Sequence, residues 1–255
     1  MERLSIKTAY DNQEKIVRIL LPKGYHETTE AFPVLYMHDG QNLFNKNESF
    51  SQSIWEVEDA LKDEKIILVA LNHSSKRIQE YIPFKSRYLN IGENYGEQYV
   101  DWIVHNLKPF IDQSYRTKVE RTSTIIAGSS LGALSSAYAI TRYNEVFGIA
   151  GIFSLALLHY ESSLFSLMDE FPMNEDTRIF LQVGTHEVID WKKKKLRKKA
   201  SQSYLNKTLN YYKQLLQNNL SVNNIDLNID IDAKHHEEAW RKAFPKFVKF
   251  LKQND

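Results

Sequence analysis

The chain has 255 residues, of which 42% are hydrophobic and 25% charged, with 33 lysine and arginine residues against 32 aspartate and glutamate residues. This composition suits a folded chain with a sizeable core and excludes an intrinsically disordered protein. No stretch of the sequence approaches the roughly 20 consecutive apolar residues that a helical membrane span needs, so a membrane span is excluded as well. The chain has no cysteine, so disulfides, thiolate metal sites and a cysteine nucleophile are excluded too.

The first ten residues are not expected to be a secretory signal. Met1–Tyr10 lacks the apolar segment of a secretory signal peptide, because charged residues resume at once. We therefore expect a cytoplasmic protein.

Apolar runs rich in β-branched residues recur along the chain and predict the strands of a buried sheet. They are Ile16–Leu21, Pro33–Met37, Ile66–Leu71, Ser123–Ala127, Gly148–Phe153, Arg178–Val183 and Ile225–Ile231, preceded by a weaker candidate, Leu4–Ala9. The runs are continuous rather than alternating, which is typical of a parallel sheet covered on both faces. The first two, Ile16–Leu21 and Pro33–Met37, are too close for a crossover helix, so we expect them to form an antiparallel hairpin.

Segments with helical periodicity lie between the later strands. Their apolar stripes are Tyr99, Trp102, Ile103, Leu107 and Phe110; Leu134, Ala137, Tyr138 and Tyr143; Leu196, Ala200, Tyr204, Leu209, Tyr212 and Leu216; and Trp240, Phe244, Phe247, Val248 and Leu251. Pro245 predicts a kink or an early break in the last helix. The alternation of strands and helices predicts a doubly wound α/β fold. Because no linker or repeat interrupts it, residues 1–255 are expected to form one domain.

The longest stretch without clear periodicity is His73–Gly96, which follows the predicted strand Ile66–Leu71. Ligands of open α/β sheets bind at the carboxyl ends of the strands, so this loop is a candidate wall of a site.

Two glycines flank a serine where a predicted strand turns into a helix. Gly128-Ser129-Ser130-Leu131-Gly132 follows Ile125-Ile126-Ala127 and fits the G-x-S-x-G nucleophile elbow in its strand–turn–helix context. A side chain at either glycine would collide with the neighbouring strand or helix. The alternative, a phosphate-binding turn, lacks support because neither G-x-G-x-x-G nor G-x-x-x-x-G-K-[ST] occurs. The motif therefore predicts Ser130 as a nucleophile.

A nucleophilic serine needs a base, which in hydrolases with this motif follows the acid along the chain. His235 and His236 lie between the last predicted strand and the last helix, where a loop can bring an imidazole over the sheet edge. The positions of His235 and His236 between the strand and the helix do not show which of the two is the base. His186 occupies the place of the acid, and His159 falls on a predicted surface helix.

The acid is expected after the strand Arg178–Val183. Glu187 lies three residues past Gly184, on a loop at the correct strand end, and Asp190 is its competitor. A buried carboxylate there would accept a hydrogen bond from the imidazole and fix its tautomer.

Two backbone N–H groups are candidates for an oxyanion hole. The first is that of Leu131, which opens the helix after the serine, and the second comes from the loop His38–Asn42 after the strand Pro33–Met37. Gly40 permits a turn in that loop, and Gln41 is then the expected donor. The alternative is an ordinary polar turn.

These residues together resemble a known family, the "putative esterase" family of α/β-hydrolases, which includes enterochelin-esterase-like siderophore hydrolases and carbohydrate and feruloyl esterases. The resemblance rests on Pro33–Phe44, Trp55, Arg77, Glu80-Tyr81, Pro83, Ala127–Gly132, Val183–Glu187 and His235–Trp240. It implies an α/β-hydrolase fold with a mostly parallel sheet of about eight strands, helices on both faces and no large separate lid. It also selects His235, five residues before Trp240, over His236, and supports Glu187 as the acid.

Three features depart from the family pattern. Ala133 replaces a frequent third glycine, and Phe153-Ser154-Leu155-Ala156 replaces a more common Ser-Pro stretch. The third is the run Lys192–Lys199, which holds seven of the 33 basic residues and leaves the rest of the chain acidic. Nucleic-acid binding is therefore not expected. The run predicts either a solvated helix start or a positive lip that attracts an anionic substrate.

The sequence thus predicts a serine carboxylesterase that needs no metal or cofactor and works through Ser130, His235 and Glu187 by an acyl-enzyme. Its partner is expected to be a small ester, with Asp39, Gly40, Arg77 and Trp240 as candidate substrate-binding residues. One alternative is a hydrolase of ferric catecholate trilactone siderophores. Another is a non-catalytic binding module on the same fold.

Overall fold

The computed structural model describes residues 1–85, 92–157, 159–188 and 193–252. At its centre is an eight-stranded sheet with the spatial order β1-β2-β4-β3-β5-β6-β7-β8. The strands are β1 (Glu2–Lys7), β2 (Glu14–Leu20), β3 (Val34–His38), β4 (Ile67–Leu71), β5 (Thr124–Ser129), β6 (Ile149–Phe153), β7 (Arg178–Gly184) and β8 (Ile225–Asp230). β1 pairs antiparallel with β2 and β2 with β4, and from β4 to β8 all neighbours are parallel.

The expected hairpin between Ile16–Leu21 and Pro33–Met37 is wrong. β2 lies between β1 and β4, and the hairpin is formed by β1 and β2. All five residues of β3 are buried, so this strand takes a central place, between β4 and β5. The mostly polar β1 alternates between exposed and partly buried residues, which suits the edge of the sheet.

The helices follow the strands in the expected alternation. They are α1 (Gln41–Phe44), α2 (Val57–Leu61), α3 (Arg77–Tyr81), α4 (Gly96–Trp102), α5 (Lys108–Ser114), α6 (Leu131–Arg142), α7 (Glu161–Glu170), α8 (Lys194–Gln217) and α9 (Glu237–Leu251), with a π-helical segment (Ile103–Leu107) joining α4 to α5 and single 3-10 turns at Tyr25–Glu27, Arg121–Ser123 and Val222–Asn224. Among the described residues, no helix is both long enough and apolar enough to cross a membrane.

Two apolar clusters cover the two faces of the sheet. On one face, residues such as Tyr36 and Ile126 pack with α4, α6 and α8. On the other, their strand neighbours Leu35 and Ile125 pack with α2 and α9. Successive strand residues point to opposite faces, so the continuous apolar runs fill both layers. This is the α/β-hydrolase arrangement that the sequence predicts, and the described residues contain no separate lid.

An early break at Pro245 and the predicted buried face of α8 are not found in the structure. α9 continues through Pro245, because its buried Phe244, Phe247 and Phe250 offset the backbone hydrogen bond that proline removes. In α8 the buried residues are Ser201, Thr208, Tyr211 and Leu215, not the predicted apolar stripe, whose ends Leu196 and Leu216 are exposed.

Candidate active site

Ser130 lies in a sharp turn between β5 and α6, at the carboxyl edge of the sheet. Its backbone is strained, with φ 58° and ψ −121°. A Cβ on Gly128 would come within 2.7 Å of the Gly132 carbonyl carbon, and one on Gly132 within 3.1 Å of the His38 side chain. Close packing thus excludes a side chain at Gly128 and leaves little room for one at Gly132, while Ser130 itself is partly exposed.

His235 lies within hydrogen-bond distance of this hydroxyl. Its Nε2 is 2.8 Å from Ser130 Oγ, and its Nδ1 is 2.7 Å from Glu187 Oε2. The Glu187 side chain is completely buried, while that of His235 is 24% exposed. A carboxylate can only accept, so Nδ1 donates to Glu187, and the lone pair of Nε2 faces the serine. The structure thus brings together the three residues that the sequence singles out.

Local hydrogen bonds hold the Glu187 loop in place. The Glu187 backbone carbonyl accepts from His235 N at 3.2 Å, and Ala233 O accepts from His186 N at 3.0 Å. Glu187 Oε1 accepts from the backbone N–H of Gly184 at 2.6 Å and from the Ser154 hydroxyl at 2.8 Å. The loops after β7 and β8 are therefore joined beside the serine.

The other candidate bases and the competing acid have different positions. His236 caps α9, where its Nδ1 accepts from Glu238 N at 3.3 Å. His186 is exposed and lies 3.0 Å from Asp232 Oδ1, and His159 is exposed in a turn before α7. Asp190 lies outside the described residues.

The two oxyanion candidates lie on loops that follow adjacent strands. β3 pairs with β5, and the loop after β3 packs directly against the elbow. Gln41 and Leu131 are the first residues of α1 and α6, so neither N–H has a partner inside its own helix. The side-chain oxygen of Gln41 accepts a hydrogen bond from His73 N at 3.0 Å. This fixes the loop and leaves the backbone N–H of Gln41 for another partner.

Two candidate substrate-binding residues form an ion pair. They are Asp39, which lies in this loop, and Arg77, which begins α3. Arg77 Nε and Nη2 donate to the two carboxylate oxygens at 2.7 and 2.8 Å. Burial would raise the pKa of Asp39, but the charge and hydrogen bonds of Arg77 outweigh it and lower that pKa. Asp39 also has φ 57°, and its N–H donates to Tyr81 Oη at 3.0 Å. The pair therefore anchors the turn that leads to Gln41.

The other two candidates, Gly40 and Trp240, are also packed against protein atoms. A Cβ on Gly40 would lie 2.9 Å from the Ala70 carbonyl carbon, so the turn rests on β4. Trp240 is 5% exposed, and its Nε1 donates to Ser154 Oγ at 2.9 Å. Substrate contact by these residues stays a prediction.

Sequence analysis missed two residues beside His235 and Glu187. Ser154 was noted only as part of a departure from the family pattern, and Tyr204 only as part of a helical stripe. The Tyr204 ring centroid lies 5.3 Å from that of His235. Burial and the nearby charge of Glu187 raise the pKa of Tyr204 to about 12, so it is a neutral phenol at neutral pH. No local motif marks either residue, because each contact joins distant parts of the chain.

The described part of the basic run begins α8 and is exposed. Lys194, Lys195, Lys198 and Lys199 lie in its first turns, as predicted. One turn later, Ser201 Oγ accepts from Val188 N, beside Glu187, at 3.0 Å. The basic segment thus adjoins the loop that carries the acid. In the described residues, no group of three or more histidine or acidic side chains could hold a metal ion.

Comparison with known proteins identifies the fold and the family of the chain. A protein of Bacillus subtilis (strain 168), YbbA, is 24% identical over 238 residues, which is 91% of this chain and 90% of YbbA. The BES protein from Bacillus cereus superposes with a TM-score of 0.74 at 16% identity, over 98% of this chain and 94% of its own. The siderophore hydrolase EstA from Aspergillus nidulans gives 0.73 at 16% identity over the same shares.

At such identities the two structures establish the fold alone. The family model described as "Putative esterase" matches residues 8–251, nearly the whole chain. The chain therefore belongs to the "Putative esterase" family and is a carboxylic ester hydrolase.

Proposed function

We propose that the protein is a serine carboxylesterase in which Ser130 is the nucleophile, His235 the general base and Glu187 the acid that orients the imidazole. The observation that carries this proposal is the continuous chain of hydrogen bonds from Ser130 Oγ to His235 Nε2, at 2.8 Å, and from His235 Nδ1 to Glu187 Oε2, at 2.7 Å. Both distances lie in the range that proton transfer and imidazole orientation require.

In the first half of the reaction, Ser130 Oγ attacks the carbonyl carbon of the ester while His235 Nε2 takes the hydroxyl proton. The tetrahedral intermediate collapses as His235 returns this proton to the leaving alkoxide, so an alcohol departs and an acyl-Ser130 ester remains. In the second half, water attacks this ester and His235 takes and returns one proton in the same way. The acid is released and Ser130 is restored.

Negative charge develops on the carbonyl oxygen in both halves of the reaction. We assign its stabilisation to the backbone N–H groups of Leu131 and Gln41, which lie on loops after neighbouring strands and have no partner within their helices. The loss of one such donor costs about 10²- to 10³-fold in kcat in serine hydrolases.

Replacement of Ser130 tests the proposal. Ser130→Ala should lower kcat for a p-nitrophenyl ester by about 10⁴- to 10⁶-fold, with the same thermal melting curve as the unmodified protein. The neighbouring Ser129→Ala is the matched control, because it removes a hydroxyl from the same turn. Its kcat should stay within about threefold of that of the unmodified protein. Turnover retained by Ser130→Ala would refute the assignment.

A second, narrower proposal concerns the substrate, an anionic ester such as a ferric catecholate lactone. The observation that favours it is the exposed basic start of α8, whose next turn contacts the Glu187 loop through Ser201 and the His235 ring through Tyr204. A positive surface beside a site raises the local concentration of anions. EstA, which shares the fold, is a siderophore hydrolase.

A further inference from the structure

The Glu187 carboxylate is sealed from water, so protein atoms must supply all its hydrogen bonds. Its side chain is 0% exposed. Oε2 accepts from His235, and Oε1 accepts from Gly184 N and Ser154 Oγ. A buried carboxylate that loses a donor is destabilised substantially. Of the three donors, the Ser154 hydroxyl is the one whose proton could point elsewhere.

The hydrogen bond from Trp240 determines the direction of the Ser154 hydroxyl proton. Ser154 is 0% exposed, and its Oγ lies 2.9 Å from Trp240 Nε1, 2.8 Å from Glu187 Oε1 and 3.5 Å from Gln182 Oε1. An indole N–H can only donate, so it occupies a lone pair of the serine oxygen. The single serine proton then goes to the nearer acceptor, the charged carboxylate. Trp240 N–H thus donates to Ser154, and the Ser154 O–H donates to Glu187, which His235 N–H meets from the other side.

The same tryptophan also packs on the base. The rings of Trp240 and His235 meet edge to face, with centroids 5.2 Å apart and planes at 84°. Trp240 lies at the start of α9 and is itself buried against Trp55, with ring centroids 5.7 Å apart. It is therefore a rigid support that touches the imidazole with its ring and the hydroxyl of Ser154 with its nitrogen.

The backbone of Ser154 is shaped for this contact. It has φ 47°, a left-handed conformation that few residues other than glycine adopt. Its N–H donates to Gln182 O on β7 at 2.8 Å. Backbone strain of this kind persists where the surrounding structure fixes it, and it concentrates at functional sites.

We propose that Ser154 and Trp240 are positioning residues that hold the Glu187 carboxylate charged and aimed at His235. This inference rests on the proposed triad, since positioning has a meaning only if Glu187 orients a working base. Neither residue needs to touch the substrate. The expected signature is thus a change in kcat and in its pH profile, with little change in KM.

Ser154→Ala tests the proposal directly. It should lower kcat by about 10- to 100-fold, the usual effect of removing a hydrogen bond to a charged group, and change KM by less than about twofold. Without that bond the carboxylate binds a proton more readily and also holds the imidazolium more firmly. Both effects shift the acid limb of the kcat/KM profile to higher pH, by about 0.5 to 1 unit.

Ser136→Ala is the matched control. Ser136 is also completely buried, and its hydroxyl donates to the Gly132 carbonyl at 2.9 Å within α6, away from Glu187 and His235. This variant loses the same atom and a hydrogen bond of similar length, here to a neutral carbonyl. It should keep the pH profile and kcat of the unmodified protein even if its melting temperature falls.

Trp240→Phe tests the other end of this chain of hydrogen bonds, because it removes the N–H and keeps a six-membered aromatic ring, with the loss of the rest of the buried indole. We expect a smaller fall in kcat, about 3- to 10-fold, and an acid limb shifted in the same direction. Since the Trp240 N–H acts through Ser154, the losses in kcat of the two single variants should not add in the double variant. Additive losses would show two independent packing effects instead.

The outcomes separate this inference from the proposed function. If Ser130→Ala is inactive while Ser154→Ala and Trp240→Phe both keep the kcat and acid limb of the unmodified protein, the positioning role is wrong and the triad stands. If Ser130→Ala stays active, the triad itself is wrong. Should Ser154→Ala not fold, the pH profile of Trp240→Phe decides: a shifted acid limb supports the role, and an unchanged one overturns it.

Discussion

At the scale of single residues, the site depends on buried charges that other residues hold in place. Asp39 is buried beside the elbow, yet Arg77 meets its carboxylate with two hydrogen bonds of 2.7 and 2.8 Å. The Arg77 side chain is 26% exposed, so the pair is only partly shielded from water. It anchors a turn whose own backbone, at φ 57°, is unfavourable for aspartate. The ion pair is thus expected to stabilise the fold as well as the site.

The pKa of Asp39 makes this contribution dependent on pH. Because the folded-state pKa lies below the unfolded value, the stabilisation is complete above the unfolded pKa, about 3.9, and is lost as the pH falls through the folded pKa. Asp39→Asn should therefore lower the free energy of unfolding by about 3 kcal/mol at pH 7. The difference from the unmodified protein should shrink below about pH 4. Urea unfolding at a series of pH values measures it.

The control for this experiment is an ion pair on the surface. Lys65 and Glu30 lie 2.7 Å apart, but both side chains are more than half exposed. Glu30→Gln should not change the unfolding free energy measurably. A deficit of Asp39→Asn that stays constant from pH 7 down through the acid range would contradict the role given to the charge of Asp39.

Strand order in the sequence pointed to Ser130, to Glu187 and to either His235 or His236, and only the family resemblance favoured His235. Sequence reasoning could not identify the role of Ser154. That role depends on a left-handed backbone and on contacts with Glu187, 33 residues away, and with Trp240, 86 residues away. Neither a torsion angle nor a distant contact leaves a periodic mark in the sequence.

At the scale of secondary structure elements, hydropathy predicted the buried faces of α6 and α9 but not that of α8. The strand runs agree with the sheet because these strands are apolar on both faces. In α8 the predicted stripe fails because Ser201 and Thr208 are buried, each with its hydroxyl hydrogen-bonded, the first with Val188 N and the second with Tyr204 O. A hydroxyl that has a hydrogen-bond partner can be buried at little cost in free energy. Because serine and threonine are not apolar, the apolar periodicity of the sequence does not reveal such a buried position.

The basic start of α8 leads to a prediction about ionic strength. If the substrate is anionic, kcat/KM should fall about 3- to 10-fold between about 10 mM and 150 mM salt, as the Debye length shrinks from about 30 to 8 Å. Replacement of Lys194, Lys195, Lys198 and Lys199 by glutamine should abolish this dependence. Stopped assays with an anionic ester and a neutral ester of similar size provide the comparison.

Lysines on the opposite layer provide the control. Lys242 and Lys249 are exposed on α9, which covers the other face of the sheet. Their replacement by glutamine removes positive charge from the opposite face of the sheet and should leave the salt dependence unchanged. A salt response that is equal for the two esters would eliminate the steering role of α8.

At the scale of the whole molecule, the parallel sheet explains how three distant residues meet. Ser130 follows β5, Glu187 follows β7 and His235 follows β8. These strands run parallel with β6 between β5 and β7, so their carboxyl ends share one edge, where α/β proteins bind ligands. The sequence predicted this edge from strand order. The predicted pairing of Ile16–Leu21 with Pro33–Met37 was wrong, because the neighbour of a strand depends on burial across the whole sheet.

The central claim is that the Ser130 hydroxyl reacts because His235 takes its proton. The most direct measurement is the site at which a fluorophosphonate probe becomes attached, read by tandem mass spectrometry. Trypsin releases residues 122–142 as one peptide, which contains Ser123, Ser129, Ser130, Ser135 and Ser136. We predict a single adduct on Ser130 and much slower labelling of His235→Ala. An adduct on another of these serines, or labelling of His235→Ala at the rate of the unmodified protein, would contradict the account.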